Sequence, residues 1–164
     1  LLHGDILKID SIEELSRGAE VVLTGKVAEV KEIYFGGLAY EVKVDVQNVA
    51  RGDAPEQVII VDYPIGEGPI EPQPRVKEGS EYLFYLLGPM GGDSYYRLYG
   101  DAGLFSVDGS TATVGQQLSD TSAKAKLHDL YSQLTRFPFE GPLAPGGERL
   151  DLAEERARAA KDGR

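Results

Sequence analysis

The side chains able to move protons or hold metals are few in kind. Histidine, the usual base for activating a hydroxyl, occurs only at His3 and His128. A nucleophilic triad needs that base within hydrogen-bond reach of Ser or Thr and oriented by a carboxylate. His3 lies near the start of the chain, and His128 sits between Leu127 and Asp129, beside the apolar stripe of a helical pattern. A boundary histidine of that kind is ordinarily partly packed or solvated, so neither is assigned a catalytic role. Cysteine is absent, which removes disulfides, thiolate nucleophiles and thiolate metal ligands together. Acids are plentiful, but most fall at outward strand positions such as Glu41 and Asp45. Asp101 and Asp108 flank a glycine yet lack the alternating oxygen ligands of a calcium loop. The expectation is a non-enzymatic chain with no metal and no cofactor. A hydrolase built on a carboxylate pair that no spacing betrays is the alternative.

Three short motifs have bland readings. Arg51-Gly52-Asp53 spells an integrin-binding triplet, but glycine and aspartate are also what a turn between strands requires. Gly66 and Gly68 resemble a phosphate-binding glycine loop without the following helix that would offer its N-terminus. Pro69 and Pro72 have the spacing of a polyproline ligand, and a stiff connector explains them equally.

Aromatic residues are more informative. Tyr34 and Phe35 border one predicted turn, while Tyr95 and Tyr96 follow another that contains Met90. Adjacent strand residues face opposite ways, so each aromatic pair leaves one ring outside the core. Tyr34, Phe35, Met90, Tyr95 and Tyr96 are therefore the candidate binding residues, expected to share one exposed face. Glycines at Gly36, Gly37, Gly91 and Gly92 permit close approach of a partner's backbone. Capping of the barrel's open ends would use the same residues.

Charge restricts the partner. The 164 residues carry a net charge of -10, and from Leu1 to Leu118 nine Lys or Arg face nineteen Asp or Glu. Such a surface repels phosphate backbones, which excludes nucleic acid and favours a neutral or basic protein or peptide. No apolar run approaches the length of a membrane-spanning helix. The chain opens at Leu1 and its only methionine is Met90, so a preceding segment is expected, either a signal peptide removed in the cell or a stretch left out of this sequence; the first is favoured, with an extracytoplasmic or secreted location.

The elements that must position these residues follow from periodicity. Ser11, Glu14 and Gly18 mark a short opening helix with a capping box and a glycine stop. Period-two alternation predicts strands over Glu20–Glu32, Leu38–Ala50, Gln57–Asp62, Glu81–Leu87 and Tyr95–Tyr99. A small hairpin is predicted from Leu104–Val107 and Thr111–Val114. Glu81–Leu87 is almost wholly apolar, which predicts a central strand buried on both faces. Pro64, Pro69, Pro72 and Pro74 make the stretch between the third and fourth strands an extended loop. Helical spacing predicts a packing helix over Ala123–Leu134, capped at Ser119 or Asp120 and stopped by Pro138. Residues 138–147 read as a Pro/Gly linker and Glu148–Lys161 as a loosely held helix. The domain plan is thus 1–137, linker 138–147 and tail 148–164. The predicted core includes Val21, Leu23, Val27, Val42, Val44, Val46, Ile59, Val61, Leu83, Tyr85 and Leu98.

Five strands, a long third connection and a packed helix give a mainly β chain with a five-stranded Greek-key barrel of the OB type. The segments AEVVLTGKVAEV, YEVKVDVQNVARGD, VKEGSEYLFYL and YRLYGDAGLFSVDG sharpen that expectation. Over Ala19–Val114 they resemble bacterial extracytoplasmic domains that look like the OB-fold of tissue inhibitors of metalloproteinases and netrin modules. The resemblance implies an OB barrel outside the cytoplasm and, as an alternative function, inhibition of an extracellular protease. The animal inhibitors act through an N-terminal cysteine, and this chain begins with Leu1, so no inhibitory residue carries over.

Overall fold

The computed structural model describes residues 9–34, 36–64, 69, 71–90 and 95–161. The first helix, α1 (Ile12–Gly18), is fastened at its start by two side chains. Ser11 Oγ accepts from the Glu14 N–H at 3.0 Å, and Asp120, distant in sequence, accepts from Ile12 and Glu13 N–H at 2.7 and 3.1 Å. These bonds satisfy amides that have no intrahelical partner.

Strands β1 (Val21–Tyr34), β2 (Leu38–Arg51), β3 (Gln57–Asp62), β4 (Glu81–Met90) and β5 (Tyr95–Leu98) close into a ring. Neighbours are antiparallel except β3 and β5, which run parallel with Ile60 beside Tyr96. The register is staggered. A path from Glu32 crosses to Tyr40 and Asp62, then to Leu98 and Leu86, and returns to β1 at Val21. That offset is the shear a small closed barrel needs, and it tilts every strand.

Gly25 makes the closure possible. A Cβ there would meet Val44 Cγ1 and lie 2.7 Å from the Asp45 carbonyl oxygen, so only glycine lets β1 bend this closely across β2. Register shifts at Thr24/Gly25 and Val27/Glu29 mark the bend.

Strand β4 is buried on both faces and separates two cores. Leu23, Val44, Ile60, Phe84, Leu86 and Tyr96 fill the barrel. On the other side Val22, Leu83, Tyr85 and Phe105 meet Leu15 of α1 and Leu130 of the packing helix. The predicted core is therefore redistributed. Leu83 and Tyr85 are buried, but beneath the helices rather than inside the barrel. In β3 the inward residues are Val58 and Ile60, while Ile59 is half-buried on the opposite face. An apolar run such as QVIIVD carries no signal for its own phase.

Outside the ring, β6 (Leu104–Asp108) pairs with β4, β7 (Thr111–Val114) with β6, and β8 (Lys124–Lys126) with β7. The helix predicted from Ala123 begins later, as α2 (Leu127–Arg136). Asp120, its expected cap, is drawn to α1 instead, and Lys124–Lys126 covers the edge of β7. The tail helix α3 (Leu152–Lys161) starts where Asp151 Oδ1 accepts from the Glu154 N–H at 3.1 Å. The stretch predicted as a plain linker is tied down. Tyr99 Oη donates to Glu14 at 2.7 Å and accepts from the Leu143 N–H at 2.9 Å, while Arg149 grips Glu14 with both terminal nitrogens. No helix among the described residues is long and apolar enough to cross a membrane.

Candidate functional site

Of the five residues expected to form one contact face, the four that the structure describes do not share one. Tyr34, at the end of β1, is 82% exposed. Tyr96 is only 6% exposed, because its neighbour across the parallel pair is Ile60 and both point into the barrel. Met90 and Tyr95 face each other across β4 and β5 and are half-buried. Phe35 lies outside the described residues, as do Gly91 and Gly92. Because β1 and β4 are antiparallel, with Val21 opposite Leu86, the whole length of β1 separates Tyr34 from the end of β4. The end of β1 at Tyr34 and the end of β4 at Met90 thus lie at opposite ends of the barrel, which corrects the expectation of a common face for Tyr34 and the Met90, Tyr95 and Tyr96 group.

Near the end of β4, Tyr95 lies on the outer face of β3 and β5 with Tyr63 and Arg97. The Arg97 guanidinium sits 4.8 Å from the Tyr63 ring centroid. Burial raises the Tyr63 phenol, and the Arg97 charge opposes that rise. The grouping is held together by the parallel pairing of two strands distant in sequence, which is why Tyr63 and Arg97 escaped notice.

The far end of β1 has a different character. β1 pairs with β4 only as far as Lys26, and the backbone contacts continue through Val27 to Ser80 and Gly79. Beyond that point β1 and β2 run on together as a hairpin that projects from the ring. Its outer face is neutralised by cross-strand ion pairs, Glu29 with Lys43 at 3.3 Å and Lys31 with Glu41 at 3.8 Å. Its inner face is not. Glu32, Glu71 and Glu78 have no ion-pair partner among the described residues. Glu32 and Glu71 both lie near Tyr40, whose phenol is raised by burial first and by their charges second. Tyr40 Oη also donates to the Pro72 carbonyl at 2.9 Å, which brings the proline-rich strap alongside.

The strap is anchored by Arg75, which forms a forked pair with Asp62 and reaches Asp101 at 3.1 Å. Burial works against the charge on Arg75, and the two carboxylates outweigh it and raise the group. Here two acids do converge, but around an arginine that consumes them. The same holds for Glu14 and Glu140, both engaged by Arg149. His128 is exposed on α2, and no group of metal-ligating side chains occurs among the described residues.

Arg51 of the integrin-like triplet is spent internally. Its guanidinium donates to the carbonyls of Ser16, Ala19, Leu134 and Phe137, closing the C-terminal ends of α1 and α2 at once. Gly52 has φ +78, and a Cβ there would lie 2.8 Å from the Glu20 carbonyl. The triplet is a structural corner.

The projecting hairpin escaped sequence reasoning, although one signal was present. Two first strands of 14 residues each followed by one of 6, close to the lengths predicted from the sequence, leave a surplus that a closed ring cannot pair. No protein-family model matches the chain, and a search of curated proteins finds no match.

Proposed function

We propose that this chain is a binding module that contacts a neutral or basic protein or peptide through the hairpin projecting from its barrel. The observation that carries this reading is the 82% exposed ring of Tyr34 beside carboxylates that form no ion pair among the described residues. An exposed aromatic supplies area at small entropic cost, and unpaired acid selects the sign of the partner. The same acids disfavour nucleic acid. An extracytoplasmic location rests on the resemblance of the strand segments to domains found there. Locating a tagged product of the full reading frame by cell fractionation tests it.

The contact is tested by passing secreted proteins over immobilised wild-type chain and over Tyr34→Ala. Proteins held by the first and not by the second, and released by salt, are the expected result. Identical retention on both columns refutes the assignment. Because Tyr34 is exposed, the substitution should leave stability within about 0.5 kcal/mol, so a loss of capture reports the surface.

A further inference from the structure

The free side of β1 has an arrangement that its charge does not explain. Along the hairpin, Val30 pairs with Val42, Glu32 with Tyr40 and Tyr34 with Leu38. The Val30 N–H points away from β2, because it donates to Glu78 Oε2 at 3.0 Å. Alternation then turns the backbone groups of Glu32 and Tyr34 the same way. No described residue pairs with them: the ladder to β4 has ended, and Glu78 caps only the first amide. Among the described residues the result is an open strand edge carrying the Val30 carbonyl, both backbone groups of Glu32 and the Tyr34 amide.

Open edges are templates for another strand, and proteins ordinarily blunt them with inward charge, proline or a covering loop. Here Lys31, the residue best suited to guard the edge, is turned to the outer face and paired with Glu41. We propose that the partner is recognised by strand addition: an extended, basic segment of another protein pairs with β1 between Val30 and Tyr34. This rests on the reading of the hairpin as the contact surface and adds how contact is made. Main-chain bonds along the edge provide affinity, and alternate side chains of the guest meet Val30, Glu32 and Tyr34. Glu32, Glu71 and Glu78 then face Lys or Arg of the guest. A second copy of this chain fits poorly, since an antiparallel pairing centred on Glu32 sets the two Glu32 side chains opposite each other.

The test uses a random linear dodecapeptide library displayed on phage, selected on the immobilised full chain. Enriched sequences should alternate Lys or Arg with β-branched or aromatic residues. A synthetic copy should lose about tenfold in affinity when N-methylated at positions of one parity and little at the other, the worth of one main-chain hydrogen bond. Glu32→Pro, which deletes the outward amide without touching the bonds to β2, should weaken binding at least as much, and Glu32→Gln only a few-fold. Binding that is lost in Tyr34→Ala but indifferent to N-methylation parity overturns strand addition while leaving the contact surface intact. Failure to enrich any peptide sensitive to Tyr34→Ala overturns both. A dimer in sedimentation that Glu32→Pro abolishes assigns the edge to a second copy and overturns the proposal. Should Glu32→Pro not fold, the N-methyl series decides alone.

Discussion

Replacing Arg51 by Met removes a side chain that ties the ends of both packing helices to β2. Its four acceptors are the last carbonyls of α1 and α2 and their flanks: Ser16, Ala19 at 3.1 Å, Leu134 at 2.8 Å and Phe137 at 3.0 Å. A hydrogen bond from a charged donor contributes roughly 1.5–3 kcal/mol, and a buried carbonyl left without a donor costs a similar amount. The four bonds share two nitrogens on a half-exposed group, so they do not add; one independent bond per helix is the appropriate count. The expected loss is then about 3–6 kcal/mol, which lowers Tm by on the order of 10 °C for a chain of this size. Met keeps most of the aliphatic stem, so packing changes little. The assay is thermal and urea unfolding of wild type, Arg51→Met and Arg51→Lys. Lys keeps the charge but has a single point donor that cannot serve two helix ends, so it should recover less than half of the loss. Amide exchange in α2 should accelerate in both variants. A Tm lowered by less than about 2 °C in Arg51→Met, or full recovery by Lys, refutes the shared-cap argument.

Tyr85 Oη is buried without a hydrogen-bond partner among the described residues, so Tyr85→Phe should leave stability unchanged or raise it by about 1 kcal/mol at neutral pH, read as Tm. Burial raises the phenols of Tyr85 and Tyr99 well above the ordinary value of about 10. The fold therefore favours their neutral forms: this contribution is intact below about pH 10 and is lost as pH rises above it. Urea midpoints should fall between pH 9 and 11 in wild type and less steeply in the Tyr85→Phe, Tyr99→Phe double variant; equal slopes contradict the assignment. Gly25→Ala forces a methyl against Val44 and the Asp45 carbonyl and should cost about 1–3 kcal/mol in urea unfolding, unlike Gly36→Ala, where open space surrounds the site and only the positive φ is strained. Deleting the chain from Leu152 onward should move Tm by less than about 2 °C, because α3 is almost wholly exposed and its described tie to the body is the Arg156 pair with Glu20 at 2.7 Å.

Local sequence pattern sufficed for the first seven strands, the doubly buried β4, the opening helix with its Ser11 cap and the absence of thiol chemistry, but not for β8, whose residues read as helix. These are readable because alternation, turn glycines and caps are local: a strand half in water must alternate, and a strand within two cores must not. It also determined the sign of the surface, since charge is counted and not folded. What it left open was every property that depends on two distant segments meeting. The sequence pattern put Ile59 and Val61 of QVIIVD in the core, and only the pairing of β3 with β5 turned Ile60 and Tyr96 into the barrel instead. Asp120 had a helix to cap, but only the folded chain made it α1 rather than α2. Arg51 read as part of a turn motif, yet its partners are carbonyls at the ends of α1 and α2, one helix before it in the chain and the other far after it. Tyr34 and Tyr96 looked alike along the chain, and the antiparallel run of β1 and β4 put one in solvent and the other in the core. The edge of β1 beyond Val27, which no described residue pairs, is the clearest case, because an unpaired backbone group is defined by what fails to arrive beside it, and that is decided by where the other strands end.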